Sequence, residues 1–290
     1  MFGTEIHFIT FIFICLLSLI LLFVSISMYG KKNVLTFDIH FLLLTFGVLS
    51  NNVSSGLLPD ENLNINILSQ NIIAYTIGFI TIGYYVYYLT QYYKLTFRKY
   101  IHLNYVFIFL SVNLVVGFII PYAITNDLEI SRKVFLVLPI SFIVLLIYRL
   151  CKTNGKDYLK ANDKYERFHI FAGFMGLFSV ISVPFTMLFL GDNQSVEQTF
   201  FTVGYLGICI EYFFSKNNVQ EKKSIFSSAL TEREKEIFNL ITSDKSIKYN
   251  EISDKLNISE KTVSAHLSNI YKKVNVKSKK ELVEKMNGYM

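Results

Sequence analysis

The chain has 290 residues, of which 52% are hydrophobic and 17% are charged, and its mean hydropathy is positive. Such hydrophobicity over the whole length excludes an ordinary soluble protein and indicates membrane segments. The first 215 residues contain 13 Lys and Arg against 12 Asp and Glu, whereas the last 75 contain 15 against 10. The basic excess therefore lies in the C-terminal part, where it favours a nucleic-acid partner.

Apolar stretches long enough to cross a bilayer dominate residues 1–214. A membrane-spanning helix needs about 20 mostly apolar residues, and the sequence predicts seven such spans. The second is the weakest because it is short and contains Asp38 and His40, and the fifth and seventh are also short. The first lacks a positively charged start and is too long for a signal peptide, which predicts a retained span. The predicted spans are approximately 6–29, 34–50, 70–93, 100–124, 134–150, 168–190 and 198–214.

The charges of the loops predict how these spans are oriented. The linkers at 30–33, 94–99 and 149–167 are rich in Lys and Arg, whereas the N-terminus and the alternate linkers contain only Arg132 and Lys133. Positive residues stay on the cytoplasmic side, so the N-terminus is predicted outside the cell and the C-terminal domain in the cytoplasm. Omitting the second span would break this alternation, so the charges favour seven crossings.

Polar side chains inside the spans are candidates for a signal site, because burying them in hydrocarbon is costly. Asp38 and His40 form the predicted possible signal site. The alternative is that Asp38, like Glu211, lies near the cytoplasmic end of its helix, where it reaches the membrane interface or pairs with a nearby lysine. The tyrosines between Tyr84 and Tyr93 favour an interfacial aromatic belt over a ligand pocket as their interpretation. No motif predicts a catalytic residue, a metal site or a cofactor, and the cysteines are interpreted as free thiols.

The last quarter of the chain changes character. Residues 215–229 are polar without strong periodicity, which predicts a flexible cytoplasmic linker. Residues 230–290 then show the periodicity of four short helices. The first begins at a capping box formed by Thr231 and Glu234, and its apolar positions are Ile237, Leu240 and Ile241. The second covers about 249–256, the third is capped by Ser259 and ends at Asn275, and the last covers 279–287.

The third of these helices has two distinct faces. Its apolar face consists of Val263, Leu267, Ile270 and Val274, and its opposite face consists of Lys261, Ser264, Ala265, Ser268 and Lys272. A short helix, a tight turn and a second helix with small polar residues outward are typical of a helix-turn-helix. In that geometry the second helix enters the major groove of DNA.

Specific runs of residues carry a family resemblance. They are Leu-Thr-Glu-Arg-Glu-Lys-Glu-Ile at 230–237, Glu-Ile-Ser-Asp-Lys-Leu at 251–256, and Ile-Ser-Glu-Lys-Thr-Val-Ser-Ala-His-Leu-Ser-Asn-Ile-Tyr-Lys-Lys-Val at 258–274. With their spacing, these runs resemble the LuxR/GerE-type regulator domain over residues 230–290. The resemblance implies a four-helix fold, binding of double-stranded promoter DNA as a homodimer, and a role in transcription.

The resemblance also implies roles for individual residues. At the positions that match the family pattern, the resemblance implies that Thr262, Lys272 and Lys273 contact phosphates. It implies in the same way that Ser264, Ala265 and Ser268 face the bases. The chain departs from the family pattern at the loop 244–246, at Ser253 and at Lys279, where glycine, alanine and arginine are frequent. The base-facing side chains are also smaller than is common, so direct readout is expected to be modest. Lys261, or the shape of the DNA, then contributes more.

The predicted fold is therefore all-α, with a seven-helix transmembrane bundle over 1–214 and a small DNA-binding domain over 230–290. The leading hypothesis is a membrane-tethered, one-component transcription regulator. Its expected partners are the lipid bilayer, promoter DNA, a second copy of the chain and a signal of unknown identity. The alternative is a transporter or membrane binding protein whose C-terminal domain serves as an interaction module. An enzyme is not expected, because no catalytic motif is present.

Overall fold

The computed structural model describes residues 6–30, 35–93, 103–141, 144, 164–190, 193–243 and 247–282. Throughout these ranges the regular secondary structure is helical and no strand is present. The predicted all-α class is therefore confirmed for the described residues. The chain divides into two compact units, the N-terminal unit Met1–Glu211 and the C-terminal unit Tyr212–Met290.

The N-terminal unit is built from long helices. Their bounds are α1 Phe8–Met28, α2 Thr36–Leu57, α3 Ile67–Tyr92, α4 Leu103–Asn113, a π-helical turn Leu114–Ile119, α5 Ile120–Thr125, α6 128–141, α7 Lys164–Phe189 and α8 Gln194–Ser228. The π-helical turn joins α4 to α5, so these three segments form one continuous rod. At this turn Gly117 approaches α6 closely, because a Cβ atom there would lie 3.2 Å from the Cα of Phe135.

Four stretches among the described helices are long and apolar enough to cross a membrane: Phe8–Met28, Ile67–Tyr92, Phe107–Thr125 and Lys164–Phe189. The expected number was seven. Helix α2 contains the predicted second span, but Asp38, His40 and the polar run at 50–55 lower its hydropathy. The predicted seventh span lies within α8, whose mean hydropathy is reduced by polar residues. Residues 142–143 and 145–150 of the predicted fifth span lie outside the described residues, as do residues 31–33, 94–99 and 149–163 of the basic linkers.

Small residues let α7 and α8 approach closely. A Cβ atom at Gly204 would lie 2.6 Å from the Cβ of Ser179, and one at Gly176 would lie 2.8 Å from the Cδ1 of Ile208. The hydroxyl of Ser179 donates a hydrogen bond across this contact to the carbonyl of Phe201. Small residues that allow backbones to pack closely are typical of helix pairs in membranes.

Helix α8 is longer than its predicted apolar part. It continues without a break from Gln194 to Ser228, so the prediction of a flexible linker at 215–229 is wrong for residues 215–228. The segment contains no Gly or Pro and includes several good helix formers. Since extending an existing helix costs much less than nucleating one, a polar composition alone did not end the helix.

The C-terminal unit contains the end of α8 and three further well-defined helices. These are α9 Glu232–Ser243, α10 Tyr249–Leu256 and α11 Glu260–Val274, and residues 279–282 form the helical start of a short last element. The remainder of the predicted fourth helix, 283–287, lies outside the described residues. The predicted positions of the first three helices of this domain are confirmed.

Candidate nucleic-acid interface

A single apolar core holds α9, α10 and α11 together. The predicted apolar face of α11 is buried, as are Ile237, Ile241 and Ile252 from the other two helices. The core also contains Phe238 and Ile247, which periodicity did not select. Its buried members are Leu230, Ile237, Phe238, Ile241, Ile247, Ile252, Val263, Leu267, Ile270, Val274, Val276 and Leu282.

The turn between α10 and α11 is short and is held by several hydrogen bonds. Asn257 ends α10 in the left-handed conformation (φ 49°), which asparagine tolerates better than most residues. The N–H of Ile258 donates to the carbonyl of Ser253 at 3.1 Å. Ser259 then caps α11 by accepting a hydrogen bond from the N–H of Thr262 at 3.1 Å. Arg233 on α9 donates to the carbonyl of Leu256, which satisfies a free group at the end of α10. This turn fixes the angle at which α11 leaves α10.

The predicted base-facing residues share one exposed face of α11. Lys261, Ser264, Ala265 and Ser268 are all exposed, and their spacing places them on neighbouring turns. Thr262 is half-buried, and its hydroxyl lies 2.8 Å from that of Ser259, so it also belongs to the capping arrangement. The side chains of this exposed face are short, except for the lysine near its N-terminal end.

The two predicted phosphate-contacting lysines differ in their surroundings. Lys272 is exposed in the last turn of α11. The Nζ of Lys273 lies 2.6 Å from Oε2 of Glu234, whose side chain is 4% exposed. Lys273 therefore joins α11 to the start of α9. Sequence reasoning missed this ion pair because its partners are 39 positions apart.

Glu234 lies at the centre of a local network. Its carboxylate accepts a hydrogen bond from the N–H of Thr231 at 2.8 Å, and the hydroxyl of Thr231 accepts one from the N–H of Glu234 at 3.4 Å, which confirms the predicted capping box. Burial opposes ionisation of Glu234, but the hydrogen bonds from Lys273 and Thr231 outweigh it and lower the pKa of this carboxyl. Glu234 is thus held ionised as a structural anion.

The C-terminal end of α11 is closed as the sequence predicts. Asn275 adopts the left-handed conformation (φ 55°), and its N–H donates back to the helix. Lys279 donates to the carbonyl of Ile247 at 2.5 Å, so this lysine ties the last element to the loop before α10.

The cap of α11 provides a direct test of this local structure. We expect Ser259→Ala to lower the free energy of unfolding of the C-terminal unit by about 1 kcal/mol, because the amide of Thr262 loses its acceptor. Ser268→Ala makes the same chemical change on the exposed face of α11 and is the matched control, with an expected effect of a few tenths of a kcal/mol. Urea unfolding followed by circular dichroism measures both. Equal effects of the two substitutions would contradict the capping role of Ser259.

The predicted signal residues lie at the start of α2. Asp38 is buried, and the Nδ1 of His40 lies 2.5 Å from the hydroxyl of Tyr84 on α3. Tyr85 and Tyr88 are fully buried, so these two tyrosines belong to the interior of the unit and not to an interfacial belt. A signal role for Asp38 and His40 remains a prediction.

A buried polar cluster surrounds Glu211, which was expected to reach the membrane interface or to pair with a nearby lysine. Its carboxylate is 2.9 Å from the Nδ1 of His169 and accepts hydrogen bonds from Tyr93 at 2.9 Å and Tyr165 at 3.2 Å. Glu211 instead joins α8 to α7 and to the residue that ends α3.

Comparison with known proteins places the similarity in the C-terminal unit. Residues 228–286 match the family described as bacterial regulatory proteins, luxR family. The spore germination protein GerE of Bacillus subtilis (strain 168) is 43% identical over 65 residues, which are 22% of this chain and 85% of GerE. No solved structure matches the chain.

Proposed function

The chain belongs to the luxR family of bacterial regulatory proteins through its C-terminal domain, and we propose from this premise that it is a membrane-tethered, DNA-binding transcription regulator. The N-terminal unit holds it in the bacterial cell membrane and receives a signal there or outside. The C-terminal domain passes that signal to promoter DNA. A regulator of this kind needs no enzymatic activity of its own.

The exposed face of α11 is the observation that carries the proposal. Its small side chains let the helix backbone approach the floor of the major groove, and Lys261 supplies a long donor near the end that enters first. Ser264, Ala265 and Ser268 provide few donors, so base readout is modest. Lys272, together with the polar Thr262, supports contacts to phosphates, which provide affinity without sequence preference. Lys273 can donate to a phosphate only with the Nζ hydrogens that are not bonded to Glu234.

Weak binding by one domain favours action in pairs. Two domains held at one membrane surface experience a high effective concentration, which raises the affinity for paired half-sites without any new contact. The mechanism we propose is a signal-dependent change in the pairing of the C-terminal domains. In this mechanism the homodimer is the DNA-binding species.

The proposed topology has seven crossings, with the N-terminus outside and the DNA-binding domain in the cytoplasm. The four long apolar helices support insertion into the membrane, and the alternation of basic and non-basic linkers supports the orientation. The less apolar α2 and α8 would then cross within the bundle, shielded from lipid by their neighbours. The bundle buries Asp38 and Glu211, as expected of intramembrane carboxylates.

Crosslinking of the full-length protein to chromosomal DNA, followed by sequencing of the fragments, tests the function. We expect discrete sites upstream of genes, and at least a ten-fold loss of occupancy in Lys261→Glu, because a carboxylate at the groove repels the phosphates. Lys235→Glu is the matched control. It makes the same change of charge in the same domain, but on α9, where no DNA contact is predicted.

Each outcome of this experiment is decisive. Sites that persist in Lys235→Glu and vanish in Lys261→Glu support a regulator that reads DNA through α11. Equal loss of sites in both variants contradicts DNA reading through α11 and favours an interaction module on a membrane protein.

A further inference from the structure

A cavity lies within the N-terminal unit, away from the predicted signal residues. Its volume is about 300 Å³, and its walls come from α2, α3, α7 and α8, with Phe135 of α6. This volume is at the lower end of the range for pockets that bind small molecules. Asp38 and the cavity-lining Asn51 are 13 positions apart on α2, a distance of about 20 Å along a helix. The cavity is therefore a separate site.

Small residues on α3 leave room for the cavity. Ala74 and Gly78 both line it and are four positions apart, so they lie on the same face of the helix. A Cβ atom at Gly78 would lie 3.1 Å from Oδ1 of Asn51, which is closer than ordinary van der Waals contact. The absence of a side chain at Gly78 therefore lets the carboxamide of Asn51 lie beside α3.

Asn51 and Ser55 give the cavity polar groups that a ligand can reach. They are four positions apart on α2, both line the cavity, and both are partly exposed. In the described part of the chain only their backbone carbonyls accept hydrogen bonds, from Ser54 and Gln194, and no group bonds to either side chain. The polar atoms of both side chains also keep accessible surface. A carboxamide and a hydroxyl are thus available on one wall.

The charged groups near the cavity are already engaged with the protein. Arg132 donates from Nε to the hydroxyl of Tyr75 at 3.1 Å and from a terminal nitrogen to Oδ1 of Asn71 at 3.2 Å. Glu197, the one charged residue among the described lining residues, also interacts with another group of the chain. Since neither charge is left to neutralise a ligand, a charged ligand would lose hydration without gaining a counter-ion. The surroundings therefore favour an uncharged ligand.

The rest of the lining is largely aromatic and aliphatic. The rings of Tyr75 and Phe135 stack with centroids 5.5 Å apart, and those of Phe79 and Phe135 with centroids 5.1 Å apart. Ile82 and Met187 add aliphatic surface. Such a surface accepts the apolar body of a ligand.

We propose that this cavity binds a small uncharged amide with an apolar body. A carboxamide carries an N–H donor and a carbonyl acceptor side by side, and Oδ1 and Nδ2 of Asn51 complement them in a pair of hydrogen bonds. The hydroxyl of Ser55, one turn further along α2, donates to the second lone pair of the ligand's carbonyl. The apolar body packs against the aromatic rings.

The position of the cavity in the chain fits a ligand that arrives from outside the cell. Asn51 and Ser55 belong to the predicted outer linker 51–69, and Gln194 and Glu197 to the predicted outer linker 191–197. In the proposed topology the cavity therefore lies toward the outer surface of the membrane. That the amide is the regulatory signal rests on the function proposed above, whereas its binding does not.

Binding to the purified full-length protein in lipid nanodiscs tests the site, with 2-phenylacetamide as the probe. Protein-free nanodiscs measure the partition of the probe into lipid. We expect saturable binding in isothermal titration. Phenylacetate, the anionic analogue, and methyl phenylacetate, which lacks the N–H donor, should both bind at least ten-fold more weakly.

Variants of the lining identify the residues that bind. Asn51→Ala should weaken amide binding at least ten-fold, because the ligand loses two hydrogen bonds. Asn64→Ala makes the same change at an exposed residue outside the lining and should leave binding unchanged. Ala74→Leu, which fills the cavity, should abolish binding. Thermal unfolding of each variant without ligand establishes that it is folded before binding is measured.

An affinity that is equal for the amide and phenylacetate, unchanged in Asn51→Ala, or not saturable overturns the site. Chromosomal crosslinking, with and without the amide, separates this proposal from the proposed function. Amide binding that leaves DNA occupancy unchanged keeps the site and contradicts the amide as the signal. DNA sites without amide binding keep the regulator and overturn the site. Equal loss of DNA sites in Lys261→Glu and Lys235→Glu contradicts the regulator and leaves the site standing.

Discussion

His169→Ala is expected to lower the free energy of unfolding of the N-terminal unit by about 3–5 kcal/mol, which is a large fraction of the stability of a typical domain. The substitution leaves the carboxylate of Glu211, 2% exposed, without the imidazole that lies 2.9 Å away. Tyr93 and Tyr165 still donate to that carboxylate. These two neutral donors compensate only part of the cost of a buried charge.

Thermal unfolding in detergent, followed by circular dichroism, measures this effect. A loss of this size corresponds to a fall in the unfolding midpoint of roughly 10 °C for a unit of about 200 residues. Lys133→Ala breaks the exposed ion pair with Glu129 and is the control, with an expected cost below about 1 kcal/mol. Neutralising the carboxylate as well, in His169→Ala/Glu211→Gln, should recover part of the loss. A fall in the unfolding midpoint smaller than that of Lys133→Ala would show that the polar cluster around Glu211 does not stabilise the unit.

The C-terminal domain could be predicted from the sequence in detail because its determinants are local. The capping box at Thr231, the cap at Ser259 and the stop at Asn275 each act within a few residues, and each is present in the structure. The apolar stripe of α11 likewise follows from helical periodicity alone. Local signals of this kind can be recognised without knowledge of tertiary contacts.

The N-terminal unit was predicted less completely because its interior depends on contacts between distant residues. Glu211 meets His169 across 42 positions and Tyr93 across 118, and no periodicity predicts which carboxylate finds which partner. The cavity beside Gln198 likewise arises from the packing of separate helices. Hydropathy indicates where a helix runs, but it does not indicate which of its polar residues face one another.

The linker was misjudged for a related reason. Polar composition without strong periodicity favours a coil when a segment stands alone. Residues 215–228 follow directly on an established helix, however, and contain no residue that breaks one. The state of this segment depends on its neighbour more than on its own composition.

Lys273→Ala is expected mainly to lower the stability of the C-terminal domain, whereas Lys272→Ala is expected mainly to weaken DNA binding, although the two residues are adjacent. Loss of Lys273 leaves the nearly buried Glu234 without its cation. We expect a cost of about 1–2 kcal/mol to the C-terminal domain, less than for a fully buried pair because the lysine is 37% exposed to solvent. Lys272→Ala should leave stability unchanged within about 0.5 kcal/mol. It should instead weaken binding to all DNA sequences alike. The slope of log affinity against log salt concentration should become shallower by about one, the value expected for the loss of one phosphate contact.

The pH dependence of unfolding shows whether loss of the ion pair with Glu234 causes the lower stability of Lys273→Ala. The pKa of Glu234 is lowered in the folded domain from its ordinary value of 4.5, so its ionisation contributes stability above that pH. This contribution disappears as the pH falls from about 4.5 through the lower folded value. Lys273→Ala removes much of it, so the variant and the wild type should converge in stability at low pH.

Urea unfolding of a fragment covering residues 229–290, at pH 7 and at pH 3, makes the comparison. A free domain of this size is reasonable, since 65 residues amount to 85% of the whole GerE protein. A difference between Lys273→Ala and wild type that is the same at both pH values would contradict the ion pair as its source. Equal loss of DNA affinity in the two lysine variants, at equal stability, would assign both side chains to phosphate contacts. A stability loss confined to Lys273→Ala and present only at pH 7 would identify its main role as joining α9 to α11.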